Sequence, residues 1–349
     1  NVFGQETIEV CHTNRVQKYD VYGITGQSVE VEHEPAIADI DASKPRIPII
    51  HTSNQGDTYK WELVPLKYEL FENPTGRREE LEYINDVLFV FKQPSFRRPL
   101  DVSAVASRRF SAGVDTGTGQ GYDYSCICVT ERGDGPIPDV QVAEWRSNKV
   151  GHVEVFAFAL PICLYFTNPD KEIQSYPLVG IEQLTAVGDV CQKEMKRLGY
   201  PAGRFFNFGR YDSRNKLKQL TNKQGWFTTG WSRPILIGNF IYVIQNGWYT
   251  LNSPWTIEEC REFEIHKTST GKVKEEHSSV SHDDSIFAAG ISTFILHDMD
   301  TLADRSKKQS RVGESLPKLI LTENTGMSMS ITGGGVKEAT LAEILELSN

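Results

Sequence analysis

The sequence predicts an α/β fold with a mixed central sheet flanked by helices. Three features lead there. From Arg108 onward, short apolar runs alternate with stretches of helical spacing; three such runs precede the first helix; and two runs, Phe110 to Asp115 and Pro177 to Glu182, each end in an acid. The implied order is β-β-β-α-β-α. A chain of 349 residues is long enough for roughly two domains at about 150 residues each.

The first 104 residues read differently from the rest. They are rich in Glu, Asp and Pro, and Glu32 to Ile50 has the composition of a connector. Residues 1–100 carry 16 acidic and 11 basic side chains, a net of −5. Ser28 to Glu32 and Val87 to Phe91 suggest short strands, so this part is expected to be a separate β-rich or α+β segment.

Phe110 to Asp115 is the first core strand, closed by a Thr-Gly-Thr-Gly turn. Tyr122 to Thr130 and Val140 to Trp145 follow as its neighbours. Val150 to Phe166 is a buried helix, too short and too interrupted (Glu154, Pro161) to cross a bilayer. Pro177 to Glu182 is a buried strand. Thr185 to Leu198 places Val187, Val190, Cys191, Met195 and Leu198 on one side of a helix that Gly199 stops. Ser232 to Asn246 and Pro254 to Phe263 are further helices. Phe263 to Lys267 and Lys272 to His277 form a hairpin around a Ser-Thr-Gly turn. Ser281 to His297 is a long helix with an apolar stripe through Ile286, Ala289, Ile291, Phe294 and Ile295. The expected divisions are 1–104, a core domain at 105–300, and a polar tail at 301–349 with one short helix near Leu341 to Leu347.

The formal net charge is −9, with 39% hydrophobic and 24% charged residues. That composition excludes a disordered chain and argues against a protein that coats nucleic acid. The six cysteines show no CxxC spacing; they fit buried thiols in a reducing compartment better than a zinc site or a disulfide frame. Cys126 and Cys128 should share one strand face. No signal peptide or membrane-spanning run is present, so no membrane partner is expected. The chain begins with Asn, as expected of a fragment or processed product.

Chemistry concentrates in the carboxylates. Asp115 and Glu182 end buried strands, and Asp283 with Asp284 opens the long helix. Each alone suits a turn residue or helix cap. Together on this frame they would repel one another unless cations sat between them. Oxygen ligands without His or Cys favour Mg²⁺ or Mn²⁺, and two such ions suit in-line attack on a phosphodiester. His277 and His282 lie nearby in sequence as auxiliary candidates for moving a proton or placing a water.

A basic stretch offers a second signal. Lys193, Lys196, Arg197, Arg204, Arg210, Arg214, Lys216, Lys218, Lys223 and Arg233 face only Glu194 and Asp212, with aromatics interleaved. Such a segment suits a phosphate backbone. A solvated helix face over core aromatics is its plainer alternative. The Gly-rich turn after Asp115 is no Walker A loop, because no Lys-Ser or Lys-Thr follows the glycines.

These residues resemble the nuclease domain of the large terminase subunit of tailed bacteriophages. The likeness rests on Gly113-Val-Asp115-Thr-Gly117 with Gly119, Gly121, Asp123 and Ser125, and on Val179-Gly-Ile-Glu182. It extends to Gly225-Trp-Phe-Thr-Thr229 with Arg233-Pro234, Glu258 to Phe263, and Ser281-His-Asp-Asp284. The resemblance implies a ribonuclease H-like fold with an accessory hairpin at Phe263 to His277. It implies a metal-dependent DNA endonuclease that cuts concatemeric double-stranded DNA with two Mg²⁺ or Mn²⁺ ions. Asp115, Glu182 and Asp283 or Asp284 would hold them. It also implies a portal protein, a small terminase subunit and a packaging ATPase as partners, in the host cytoplasm at the procapsid. With no Walker A in this chain, either the ATPase lies upstream or residues 1–104 are an unusual linker or insertion. A Holliday-junction resolvase or transposase-like nuclease, an actin-like ATPase and a non-catalytic DNA-binding module are the alternatives.

Overall fold

The computed structural model describes residues 3–14, 19–26, 39–67, 85–94, 110–121, 123–133, 137–167, 175–183, 187–211, 217–230, 232–267, 273–277, 282–303, 318–322, 326–330 and 339–340. They fall into two compact units, residues 1–206 with 225–296, and residues 207–224 with 297–349.

The first unit is built on one nine-stranded sheet. Its core strands are β5 (Phe110–Asp115), β6 (Ser125–Glu131) and β7 (Asp139–Ser147), which pair antiparallel, and β8 (Leu178–Ile181), which runs parallel to β5. A parallel return needs a crossover, and helix α2 (Phe156–Tyr165) lies between β7 and β8 in the chain. The expected β-β-β-α-β-α order is therefore present, and the fold is a mixed sheet flanked by helices.

The N-terminal residues are β-rich, and their strands continue the same sheet. Strands β1 (Asp20–Gly26), β2 (Ile47–Thr52), β3 (Thr58–Pro65) and β4 (Val87–Val90) extend it in the order β2-β3-β1-β4-β7. The reason lies in β4. All four residues of its Val-Leu-Phe-Val run are buried, so it must be covered on both faces and paired on both edges. Leu88 and Val90 join the main core, while Val87 and Phe89 pack with Tyr19, Val21 and Trp255. The Phe89 and Trp255 rings stack at 4.4 Å. Residues 1–206 thus form one compact unit across position 104. The proposed strand at Ser28 to Glu32 lies outside the described residues.

One face of the core sheet carries Phe110, Ala112 and Val114 against the nearly all-apolar α2 and the Cys191–Met195 side of α3 (Val187–Arg197). The other face carries Ser111, Gly113 and Asp115 against α6 (Asp284–Ala303), whose residues to Leu296 belong to this unit. Two glycines set that contact. Gly113 and Gly180 are register partners on β5 and β8. A Cβ on Gly113 would stand 2.0 Å from the Ala288 carbonyl oxygen, and one on Gly180 would stand 2.7 Å from Ile291 Cγ2. Each glycine lies two residues before an acid and on the same face. The close approach that they permit therefore brings the start of α6 over Asp115 and Glu182. Gly113→Ala should cost about 3 kcal/mol or more in urea unfolding, because the clash is with backbone. Gly203→Ala, where an added Cβ meets nothing within 4 Å, should stay within about 0.5 kcal/mol.

Helices α1 (Gln5–Asn14), α4 (Ser232–Gln245) and α5 (Pro254–Glu262) complete this unit, with β11 (Tyr249–Thr250) beside β7 and the hairpin β12–β13 (Phe263–Lys267, Val273–His277). The second unit contains the hairpin β9–β10 (Asn207–Tyr211, Leu217–Gln224) and a small antiparallel sheet, β14–β16 (Lys318–Thr322, Gly326–Ser330, Ala339–Thr340). Part of the polar tail is thus strand. The helix expected at 341–347 lies outside the described residues. No described helix is long and apolar enough to cross a membrane.

Candidate active site

Asp115 and Glu182 sit where β5 and β8 run out side by side. The register Val114↔Ile181 and the Glu182 N–H to Val114 carbonyl bond of 2.8 Å place them as neighbours, both buried. Glu182 is close enough to act on Asp115, whose carboxyl is pushed well above the usual carboxylate range. Burial is the main cause, followed by Glu182, Asp284 and Asp283. Asp284, at the first position of α6, is raised to about 7, mainly by burial and further by Asp283. Four acids from three elements thus act on one another at one end of the sheet.

Three of the four carboxylates, those of Glu182, Asp283 and Asp284, have a donor. The Thr228 hydroxyl donates to Glu182. Arg233 Nη2 stands 2.5 Å from Asp283 Oδ2, its guanidinium also lying over the Phe287 ring at 4.5 Å. The Tyr124 N–H donates to Asp284 Oδ2 at 3.1 Å, and His282 Nδ1 is 3.6 Å from the same oxygen. His282 therefore belongs to the cluster. His277 ends β13, opposite Phe263. Among the described residues, no group of three or more His, Cys, Asp or Glu side chains stands ready as a metal cage. Glu182, Asp283 and Asp284 are each turned onto the donors just named.

Beneath the cluster lies a buried ionic layer of Glu144, Arg146 and Glu259, of which only Glu259 falls in a stretch that carries the resemblance. Glu144 and Arg146 on β7 face the same side as Cys128 and Cys126, their register partners on β6. Arg146 pairs with Glu259 of α5 at 3.5 Å, both about 5% exposed. Glu259 accepts the Ile286 N–H at 3.0 Å, one of the donors that a helix start leaves unsatisfied. Arg146 also lies 3.7 Å over the Tyr124 ring. Its signal was present as two charges alternating with Ala143 and Trp145 inside an apolar strand. Cys126 and Cys128 do share this face. Burial chiefly raises both thiols, that of Cys128 to about 12, as inert structural thiols require.

The basic candidates are dispersed. Lys193, Lys196 and Arg197 lie on α3, which packs beside α2 on the face opposite α6. Lys193 pairs with Asp189 at 2.5 Å and Arg197 with Glu194 at 2.8 Å. Lys196 lies over the Phe205 ring, and Arg204 donates to the Tyr176 carbonyl at 2.8 Å. Arg210 and Lys218 are on the β9–β10 hairpin of the second unit. Arg214 and Lys216 lie outside the described residues. Arg233 serves Asp283.

The structure is similar to solved nuclease domains of phage large terminases. The nuclease of thermophilic phage G20c matches at 16% identity over 59% of this chain and 87% of that chain, with a TM-score of 0.40. The Thermus phage P74-26 domain matches at 16% identity over 59% and 83%, TM-score 0.40. The P22 domain matches at 10% over 54% and 81%, TM-score 0.35. The G20c nuclease has also been solved with magnesium and with cobalt bound. No protein-family model and no curated protein matches the chain.

Proposed function

We propose that the chain is a divalent-metal-dependent endonuclease that cuts double-stranded DNA during phage genome packaging. The observation that carries this is the carboxyl cluster: Asp115 and Glu182 side by side at the ends of β5 and β8, with Glu182, Asp284 and Asp283 all raising Asp115. Such a cluster holds more negative charge than a protein interior tolerates without protons or cations. Its all-oxygen donors fit Mg²⁺ or Mn²⁺. Asp115, Glu182 and Asp283 or Asp284 would hold the ions. When bound, the ions would stabilise the charge that builds on a phosphodiester during in-line displacement.

The remaining work falls to the chain itself. Thr228 fixes the direction of Glu182. The Tyr124 N–H fixes Asp284. His282 Nδ1, next to Asp284, is placed to accept or return a proton at the edge of the cluster. DNA would be held mainly through its phosphates, giving little sequence preference and strong salt dependence. With −9 net charge, sustained binding would fall to partners: a portal protein, a small terminase subunit and a packaging ATPase.

Supercoiled plasmid tests the reading. The protein should nick and linearise it in Mn²⁺ or Mg²⁺ and leave it intact in EDTA, and Asp115→Ala and Glu182→Ala should each stop cutting. Undiminished cutting by both variants would overturn the proposal. Strong preference for four-way junctions would favour the resolvase alternative instead.

A further inference from the structure

One loop serves two of the acids. From Gly225 to Arg233 the chain first runs beside β8: the Trp226 N–H donates to the Ile181 carbonyl at 2.7 Å, and the Gln183 N–H to the Trp226 carbonyl at 2.6 Å. Thr228 then reaches Glu182. Ser232 and Thr229 lock the turn, with Thr229 N–H to Ser232 Oγ at 2.8 Å and Ser232 N–H to Thr229 Oγ1 at 3.1 Å. The next residue, Arg233, is delivered to Asp283. Thr228 and Arg233 thus flank one hydrogen-bonded turn, and Phe287 on the following turn of α6 backs the guanidinium.

The two adjacent aspartates therefore have unlike partners. Asp283 meets a cation in a short charge-assisted contact. Asp284 meets a neutral backbone N–H and an imidazole. Asp283 precedes the helix and Asp284 opens it, so the two carboxyls leave the chain from different backbone positions. We infer that Arg233 is a positioning residue that holds Asp283 as its own counter-ion, leaving Asp284 as the aspartate of the pair that takes the metal ion. On this inference Arg233 does not grip the DNA backbone. The inference rests on the metal-dependent reading above and sharpens it.

Mn²⁺ binding without DNA, followed by calorimetry, tests this directly. Asp284→Asn should weaken Mn²⁺ affinity by about 30-fold or more, and Asp283→Asn by no more than about threefold. Arg233→Gln releases Asp283 to compete for the ion, so affinity should rise about threefold to tenfold while the maximal cleavage rate falls at least tenfold. Adding Asp283→Asn to Arg233→Gln should return affinity to the parent value, and Arg233→Lys should keep both near the parent. Duplex binding in EDTA should be unchanged by Arg233→Gln. Equal losses of Mn²⁺ affinity in Asp283→Asn and Asp284→Asn would overturn the assignment. So would a tenfold loss of duplex affinity in Arg233→Gln with Mn²⁺ binding intact, which would make Arg233 a phosphate contact. A parent that binds no Mn²⁺ would overturn both this inference and the proposed function; a parent that binds and cuts, with the first of these results, would overturn only this one.

Discussion

Asp115→Asn should lower the Mn²⁺-dependent cleavage rate by about a thousandfold or more, some 4 kcal/mol of barrier, while making the metal-free protein more stable. The two effects share a cause. Asp115 is buried beside Glu182 with Asp283 and Asp284 near, and all of these raise its pKa. A carboxyl raised in the fold lends its full stability at low pH, where it is protonated in both states. That contribution is lost as pH climbs through the folded value. Asp284, at about 7, follows the same sign, so its share of the metal-free fold's stability should be lost between about pH 4 and pH 7. An amide at 115 keeps shape and hydrogen bonding without the charge. The metal-free variant should gain about 1–3 kcal/mol at pH 7.5, read as the urea midpoint in EDTA. Mn²⁺ should stabilise the parent and do little for the variant. A variant no more stable than the parent in EDTA would mean that the cluster stores no charge repulsion.

The second large effect lies below the acids. Arg146→Ala or Glu259→Ala should each cost about 3–5 kcal/mol, because truncation strands a buried charge. Glu259 is already pushed well above its usual range by burial, with Arg146 the main opposing influence. Paired replacement by Arg146→Met and Glu259→Leu should recover most of that stability, since apolar groups of similar volume need no partner. Cutting should not recover with it. The pair also anchors the Ile286 N–H and the Tyr124 ring, and through these the start of α6 that carries Asp284. Thermal denaturation beside plasmid cleavage separates the two. A double variant as active as the parent would reduce the layer to packing alone.

The sequence made much of the site legible because its signals are local. Phe110 to Asp115 and Pro177 to Glu182 are apolar runs that stop at an acid, and the Asp283-Asp284 pair opens a stripe of helical period. What it concealed depends on contacts distant in the chain. Val87 to Phe91 reads as a strand, yet nothing local says that its partners are Asp20 to Tyr22 and Ala143 to Arg146 of β7. Glu144 and Arg146 alternate with apolar neighbours, which looks like a solvated strand face until α5 and α6 cover it. Lys193 to Arg233 reads as one basic tract. The fold spends it on a helix beside α2, a separate hairpin and the Asp283 clamp. Residues 318–330 are polar enough to pass as a tail, though Lys318–Thr322 and Gly326–Ser330 pair as a hairpin.

The central claim is that Asp115, Glu182 and the aspartate pair at the start of α6 form a divalent-ion site. Anomalous diffraction from a crystal soaked in Mn²⁺ tests it most directly. The prediction is manganese bound among Asp115, Glu182 and Asp284. An ordered cluster without manganese in saturating Mn²⁺ would contradict it.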